Sequence, residues 1–163
     1  MTTKRSSVEK ETMLVQKIGD GTVIDHVTAG KALSVLRLLS NPQDRGVTVA
    51  LVMNVTSSKM GKKDILKVEG VEINNEQIQK LALIAPSASV NIIRSYRVSE
   101  KKNAVPPAVV VGILHCNATT CVSVREKDSV PSVFSLVSSA PLSYRCKYCG
   151  RELNDQEIAV QLG

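Results

Sequence analysis

The chain has four cysteines, and they fall in two pairs. Four residues separate Cys116 from Cys121, two separate Cys146 from Cys149, and 24 lie between the pairs. Each pair can pinch one edge of a tetrahedron, and Zn²⁺ accepts four thiolates at about 2.3 Å without redox chemistry. Protein then fills every position and leaves no seat for water or substrate, so the spacing predicts one structural zinc rather than a catalytic metal. Iron in the same four-sulfur cage is the rival. His115 adjoins the first cysteine, but with the shell already closed it reads as a strand-end histidine.

The choice of metal over disulfides follows from compartment. Thr2 to Glu11 is polar and lacks the apolar core of a secretory signal, and no segment approaches 18 uninterrupted apolar residues. The expectation is a soluble, cytoplasmic protein with no membrane partner. In that reducing setting, clustered cysteines are metal ligands.

A second constellation is basic. Asp25 and His26 close one apolar β-branched run, Lys63 and Lys67 stand four apart in another, and Asn91, Tyr96 and Lys101 follow in or just after a third. Lysines with a histidine suit a polyphosphate, and a carboxylate such as Asp25 accepts from ribose hydroxyls. The chain has no GxxxxGK[ST] loop, so the pattern implies binding without phosphoryl turnover. Read blandly, the same lysines are a solvated face and His26 a hydrogen-bonded strand residue. The charge balance adds weight to the first region. Sixteen of the 21 Lys and Arg and 10 of the 15 Asp and Glu precede Ala104, so the whole excess of +6 lies there. An anionic partner would meet that part. No nucleophile, base and orienting acid fall in a recognisable order, which argues against an enzyme.

These residues need elements to hold them. With one Phe, three Tyr and no Trp among 163 residues, any core is built from Val, Ile, Leu and Ala. Residues 1–14 read as a flexible tail, and 13–18 as a short edge strand. Gly21 to Val27 is a strand. Thr28 can cap a helix carrying Leu33, Val35, Leu36 and Leu39, which Asn41-Pro42 breaks. Val47 to Val55 reads as a central, buried strand, and Lys63 to Val71 as its hairpin partner after a polar loop, Thr56 to Lys62. Asn74 caps a helix over residues 75–85 that Pro86 stops. Ala88 to Val98 supplies a fourth strand.

The order strand, helix, strand, strand, helix, strand is the ferredoxin-like split βαβ pattern. Right-handed crossovers put the first strand between the third and the fourth. The expected class is α+β: an antiparallel sheet with two helices, followed by a small antiparallel β domain of zinc-ribbon or rubredoxin-like type. The boundaries read as 15–102 for the first domain, 103–107 for the hinge within the charged and proline-rich stretch Glu100 to Pro107, and 108–163 for the metal domain. In the latter, Ala108 to His115, Cys121 to Arg125 and Val133 to Val137 are strand candidates and Arg145 to Gly150 is a knuckle. Some 60 residues with a single phenylalanine make little core, whereas structural zinc contributes about 10 to 16 kcal/mol in small peptides.

With these motifs in view, GTVIDH (Gly21 to His26), MGKKD (Met60 to Asp64), LALIAPSASVN (Leu81 to Asn91) and CKYC (Cys146 to Cys149), preceded by Cys116 and Cys121, the chain resembles the regulatory chain of aspartate carbamoyltransferase from Val15 onward. The resemblance implies a non-catalytic subunit whose first domain binds CTP or ATP and whose zinc domain grips the catalytic chain. It also implies self-dimers through the first domain that bridge catalytic trimers into a dodecamer of six catalytic and six regulatory chains. Carried over by position, the nucleotide site would comprise Asp25, His26, Lys63, Lys67 and Asn91, then Ile93, Tyr96, Val98 and Lys101, with Ile18 near the base. Two departures stand out. Asn117-Ala118-Thr119-Thr120 holds one asparagine where the family often has two, and Ser135 to Pro141 lacks basic residues found in some members. The alternative from another class is a zinc-ribbon nucleic-acid-binding protein. Sheet faces that bind single-stranded RNA rely on stacked rings, and here Tyr96 is alone.

Overall fold

A computed structural model of the chain describes residues 16–163. The tail expected over residues 1–14 lies outside them, as does half of the strand expected over 13–18; Gln16 to Ile18 form no strand.

The first sheet has five antiparallel strands in the order β2-β3-β1-β4-β5. They are β1 (Gly21–Thr28), β2 (Val49–Ser57), β3 (Gly61–Glu69), β4 (Ser89–Arg94) and β5 (Arg97–Asn103). The first strand is flanked by the third and fourth, as the split βαβ reading requires. Alternation along β1, β3 and β4 sends Ile24, Leu66, Val68, Val90 and Ile92 to one face, where they are almost wholly buried. Helices α1 (Ala32–Leu38) and α2 (Asn75–Ile84) close that face, burying Val35, Ile78, Leu81 and Ala82. The expected capping residue of α2 is in place: Asn74 accepts from the Gln77 N–H at 2.8 Å, and Gln77 returns a bond to the Asn74 N–H at 2.9 Å. This reciprocal pair satisfies two orphan amides.

Four local expectations change. The Val47–Val55 run is not central; as β2 it forms a sheet edge and is half exposed, because β3 rather than β2 lies beside β1. The Ala88–Val98 stretch is two strands, since Ser95 and Tyr96 take left-handed φ of 50° and 63° and turn the chain into a hairpin. The loop before the third strand shrinks to a turn between Ser57 and Gly61. Thr28 ends β1 instead of capping α1, whose cap position, Lys31, makes no side-chain cap bond.

The second sheet has the order β6-β7-β8-β9, with β6 (Val109–Val111), β7 (Val133–Ser139), β8 (Leu142–Cys146) and β9 (Glu152–Asn154). Cys121 to Arg125 is no strand; Val122–Arg125 forms the short helix α3, for which four residues carry too little periodicity to decide from sequence. Helix α4 (Asp155–Leu162) was not foreseen, although its signature is present in the sequence. Asn154 accepts from the Glu157 N–H, and Glu157 accepts from the Asn154 N–H.

Two cores result. Leu83 of α2 belongs to the core of the second sheet, with Phe134, Tyr144, Leu153 and Ile158, and Leu162 of α4 touches both cores. Arg37 of α1 donates to the Gly163 carbonyl oxygen at 3.1 Å. The helices thus form the seam between the sheets, and the opposite face of the first sheet is left open. No helix among the described residues is long and apolar enough to cross a membrane.

Candidate functional site

The chemistry-bearing residues gather in two places. In the second sheet, β8 delivers Cys146 at its end, a turn sealed by the Gly150 N–H to the Cys146 carbonyl at 3.0 Å presents Cys149, and Cys121 opens α3. Cys116 follows the loop after β6. Tyr148, inside the knuckle, is tied down by its hydroxyl donating to the Pro131 carbonyl at 3.0 Å.

The four Sγ atoms all lie within 4.8 Å of one another. Cys116 and Cys149 are 3.5 Å apart at sulfur, and Cys121 and Cys146 are 3.7 Å apart. A tetrahedron with metal–sulfur arms of about 2.3 Å has edges of about 3.8 Å, so the cage fits a four-thiolate ion. The donor set demands one. Burial pushes the Cys116 thiol up to about 12 and raises Cys146, while the Ser123 hydroxyl, 3.1 Å from the sulfur, draws Cys121 down to about 7. Four converging thiols, three of them buried, do not all ionise without a cation among them. His115 stands outside the cluster; its backbone N–H and carbonyl are both held by the Gln161 side chain of α4.

The second place is the open face of the first sheet. Register puts Ala50, Lys67, Val23, Asn91 and Lys101 in one row across all five strands. Beyond that row, toward the end of β1, Lys63 donates to Asp25, with Nζ 2.9 Å from Oδ1 and 3.2 Å from Oδ2. Burial works to raise the Asp25 pKa, but the Lys63 hydrogen bond, the His26 N–H and both nearby charges outweigh it, and the carboxyl is held below its ordinary value. The His26 ring Nδ1 lies 3.3 Å from the Ser89 Oγ and 3.7 Å from an Asp25 oxygen.

Asp25 and His26 are consecutive, so strict alternation would send them to opposite faces. A β-bulge brings them together. Between Ile24 and Val27 two residues of β1 face the single Ile65 of β3, His26 adopts φ of 54°, and its N–H donates to its neighbour's carboxylate at 2.6 Å. The bulge is the device that assembles this corner.

The ten residues expected here share the face but do not meet at one point. Asp25, His26 and Lys63 sit where β1 leaves the sheet. Ile93, Tyr96 and Val98 sit at the other end, by the β4–β5 hairpin, where the Tyr96 N–H donates to the Gly19 carbonyl at 2.8 Å and its ring lies against Gly19. Half-buried Ile18 enters beside them, and Lys67 donates to the Gln16 carbonyl at 3.3 Å. Tyr96 is 72% exposed, Val98 59% and Ile93 9%. Sequence reasoning missed a concavity of about 250 Å³ at the first corner, lined by Lys59, Met60, Ser87, Ser89 and Asn103 besides His26 and Lys101. Its serines lie in the segment Ala85 to Ser89 (APSAS) after α2, which gives no pattern of its own.

Comparison with known proteins yields matches over both regions. Residues 13–105 match the family model for the aspartate carbamoyltransferase regulatory chain, allosteric domain, and residues 108–159 match that for its metal binding domain. A curated relative from Korarchaeum cryptofilum, named aspartate carbamoyltransferase regulatory chain, is 49% identical over 153 residues, covering 94% of this chain and 98% of its own. Relatives of the same name from Thermofilum pendens and Archaeoglobus fulgidus are 48% and 45% identical, over 94% and 88% of this chain and 96% and 94% of theirs.

Proposed function

The chain belongs to the family of aspartate carbamoyltransferase regulatory chains, with an allosteric and a metal-binding domain, and on that premise we propose that it transmits nucleotide control to a catalytic chain. Its effectors are CTP and ATP, and it works in the cytoplasm on feedback control of pyrimidine synthesis. The observation that carries this reading is the open sheet face, where Lys63, Lys67, Asn91 and Lys101 surround the bulge-borne pair Asp25 and His26. The cations and His26 hold the phosphates, Asp25 takes the ribose hydroxyls, and the apolar end formed by Ile18, Ile93, Tyr96 and Val98 receives the base.

The metal at Cys116, Cys121, Cys146 and Cys149 is a single structural zinc, which supplies no reaction and closes the fold of its domain. Residues 108–163 hold the catalytic chain, residues 15–102 carry the effector, and 103–107 are the hinge. Self-association uses the first domain. Of its two sheet edges, β5 bears Arg97, Lys101 and Lys102, whereas β2 presents Val49, Leu51, Val52 and Val55 and is the edge suited to pairing. Dimers made that way bridge catalytic trimers into a complex of six and six.

A ligand shifts an equilibrium only through unequal affinity for its two states. In this reading CTP is the ligand that binds the less active quaternary state more tightly. The test is reconstitution with the catalytic chain and measurement of its aspartate saturation: a curve moved in opposite directions by CTP and ATP is expected, and one left in place by both at saturation overturns the reading. Single-stranded oligonucleotide binding that weakens steeply with salt, without any CTP response, would favour the nucleic-acid alternative.

A further inference from the structure

Asp64 has no role so far, yet it is the one fully buried acid among the described residues. Its Oδ2 accepts the backbone N–H of Gly30 at 2.8 Å and of Ala32 at 3.2 Å, and its Oδ1 accepts that of Asn54 at 2.9 Å. Three amides offset the cost of burying the carboxylate.

The donors mark the places where strand register changes. Asn54 is the left-handed residue, φ 59°, of a bulge in β2, where Met53 and Asn54 together face Asp64. Gly30 and Ala32 lie where β1 leaves the sheet for α1, just past the bulge at Asp25 and His26. The two bulges thus oppose neighbouring residues of β3, Ile65 and Asp64. One carboxylate serves each bulge amide: Asp25 takes the His26 N–H from the open side, and Asp64 takes the Asn54 N–H from the core side. A slip of one residue in β1 would exchange the faces of its side chains and scatter the corner.

We propose that Asp64 is a positioning residue of the effector face, which fixes the register of both bulges from the core side and so keeps Asp25, His26 and Lys63 together on the open side. The inference rests on reading that face as the nucleotide site. It is tested in the full-length chain with Asp64→Asn, which puts an NH₂ where one oxygen accepted an amide. Two quantities are followed: the NMR signals of the His26 ring without nucleotide, and CTP affinity by calorimetry.

Displaced His26 signals and a Kd for CTP raised about tenfold are expected, the scale of one lost hydrogen bond to a charged group. A lowered melting temperature with unmoved His26 signals and unchanged CTP affinity would reduce Asp64 to a purely structural residue and overturn the proposal. Should Asp64→Asn fail to fold, Asn54→Val replaces it, because a β-branched residue at an exposed left-handed position breaks the β2 bulge without touching the core. His26 signals that move in this variant, although Asn54 is on another strand, support the coupling; unmoved signals sink it. If the unaltered chain binds no CTP, the nucleotide reading fails, while the His26 signals still decide the positioning role.

Discussion

The two sheets of this chain are of similar type and are held together by different means. Behind the first sheet, 16 buried residues from three strands, two helices and the segments that join them form a continuous aliphatic core. The second has 11, of which three are cysteines of the metal cluster and one, Leu83, is lent by α2 of the first. Hydrophobic burial scales with the area a fold can remove from water, and a region of about 60 residues is left marginal by its own burial. The difference teaches where each region gets its shape: the first from packing, the second from ligation and from the helix it leans on.

Removing the metal should break the comparison most completely. A chelator, or Cys146→Ser, is expected to unfold β6 to β9 with a loss on the order of 10 kcal/mol, the scale of structural zinc in small domains. Hydrogen exchange should then show protection lost over Val109 to Asn154 and retained in β1, β3 and β4. Equal loss in both sheets would show one cooperative unit instead.

A cavity in the first core should do the reverse. Leu66, fully buried, truncated as Leu66→Ala, is expected to cost about 2 to 5 kcal/mol. Chemical denaturation should report that loss, while the metal content per chain, measured by atomic spectroscopy, stays unchanged.

The seam is probed more gently by Asn154→Ala, which removes the reciprocal cap of α4. The expected cost is about 1 kcal/mol, read as a small drop in melting temperature that is felt in both regions because α4 touches both cores.

Acid should separate the regions by the smallest energies. Asp25 is held below its ordinary value, so it contributes stability that is complete above that ordinary value and is lost as pH falls through the lower folded one. Pairing with Lys63 at a partly exposed site makes this under about 1 kcal/mol. Protons also compete for the thiolates, so on acidification the second sheet should lose its metal and its near-ultraviolet signal before the first sheet opens. A first sheet that melted earlier would reverse the ranking of the two.

The metal cage was legible because ligand identity and loop length are local: two cysteine pairs at short spacing, with 24 residues between them, leave few ways to close a tetrahedron. Helix α2 was legible for the same reason, since Asn74, a run of 3.6-periodic apolar residues and Pro86 are all neighbours in the chain. The cap of α4 was equally legible and was overlooked. The strand order followed from handedness once the elements were placed.

What the sequence could not say is where the ladder breaks. A bulge is decided by whether an unpaired amide finds an acceptor, and the acceptors here are Asp25 for one strand and Asp64 for another, the latter ten residues from Asn54 and more than 30 from Gly30 and Ala32. Likewise, the continuous Val47–Val55 run reads as buried until the sheet order puts it on an edge. The sequence by itself determined which side chains are present and the elements that carry them. Tertiary structure alone decided that Asp25 and His26 face the same way, because strand periodicity is broken only by contacts between residues far apart in the chain.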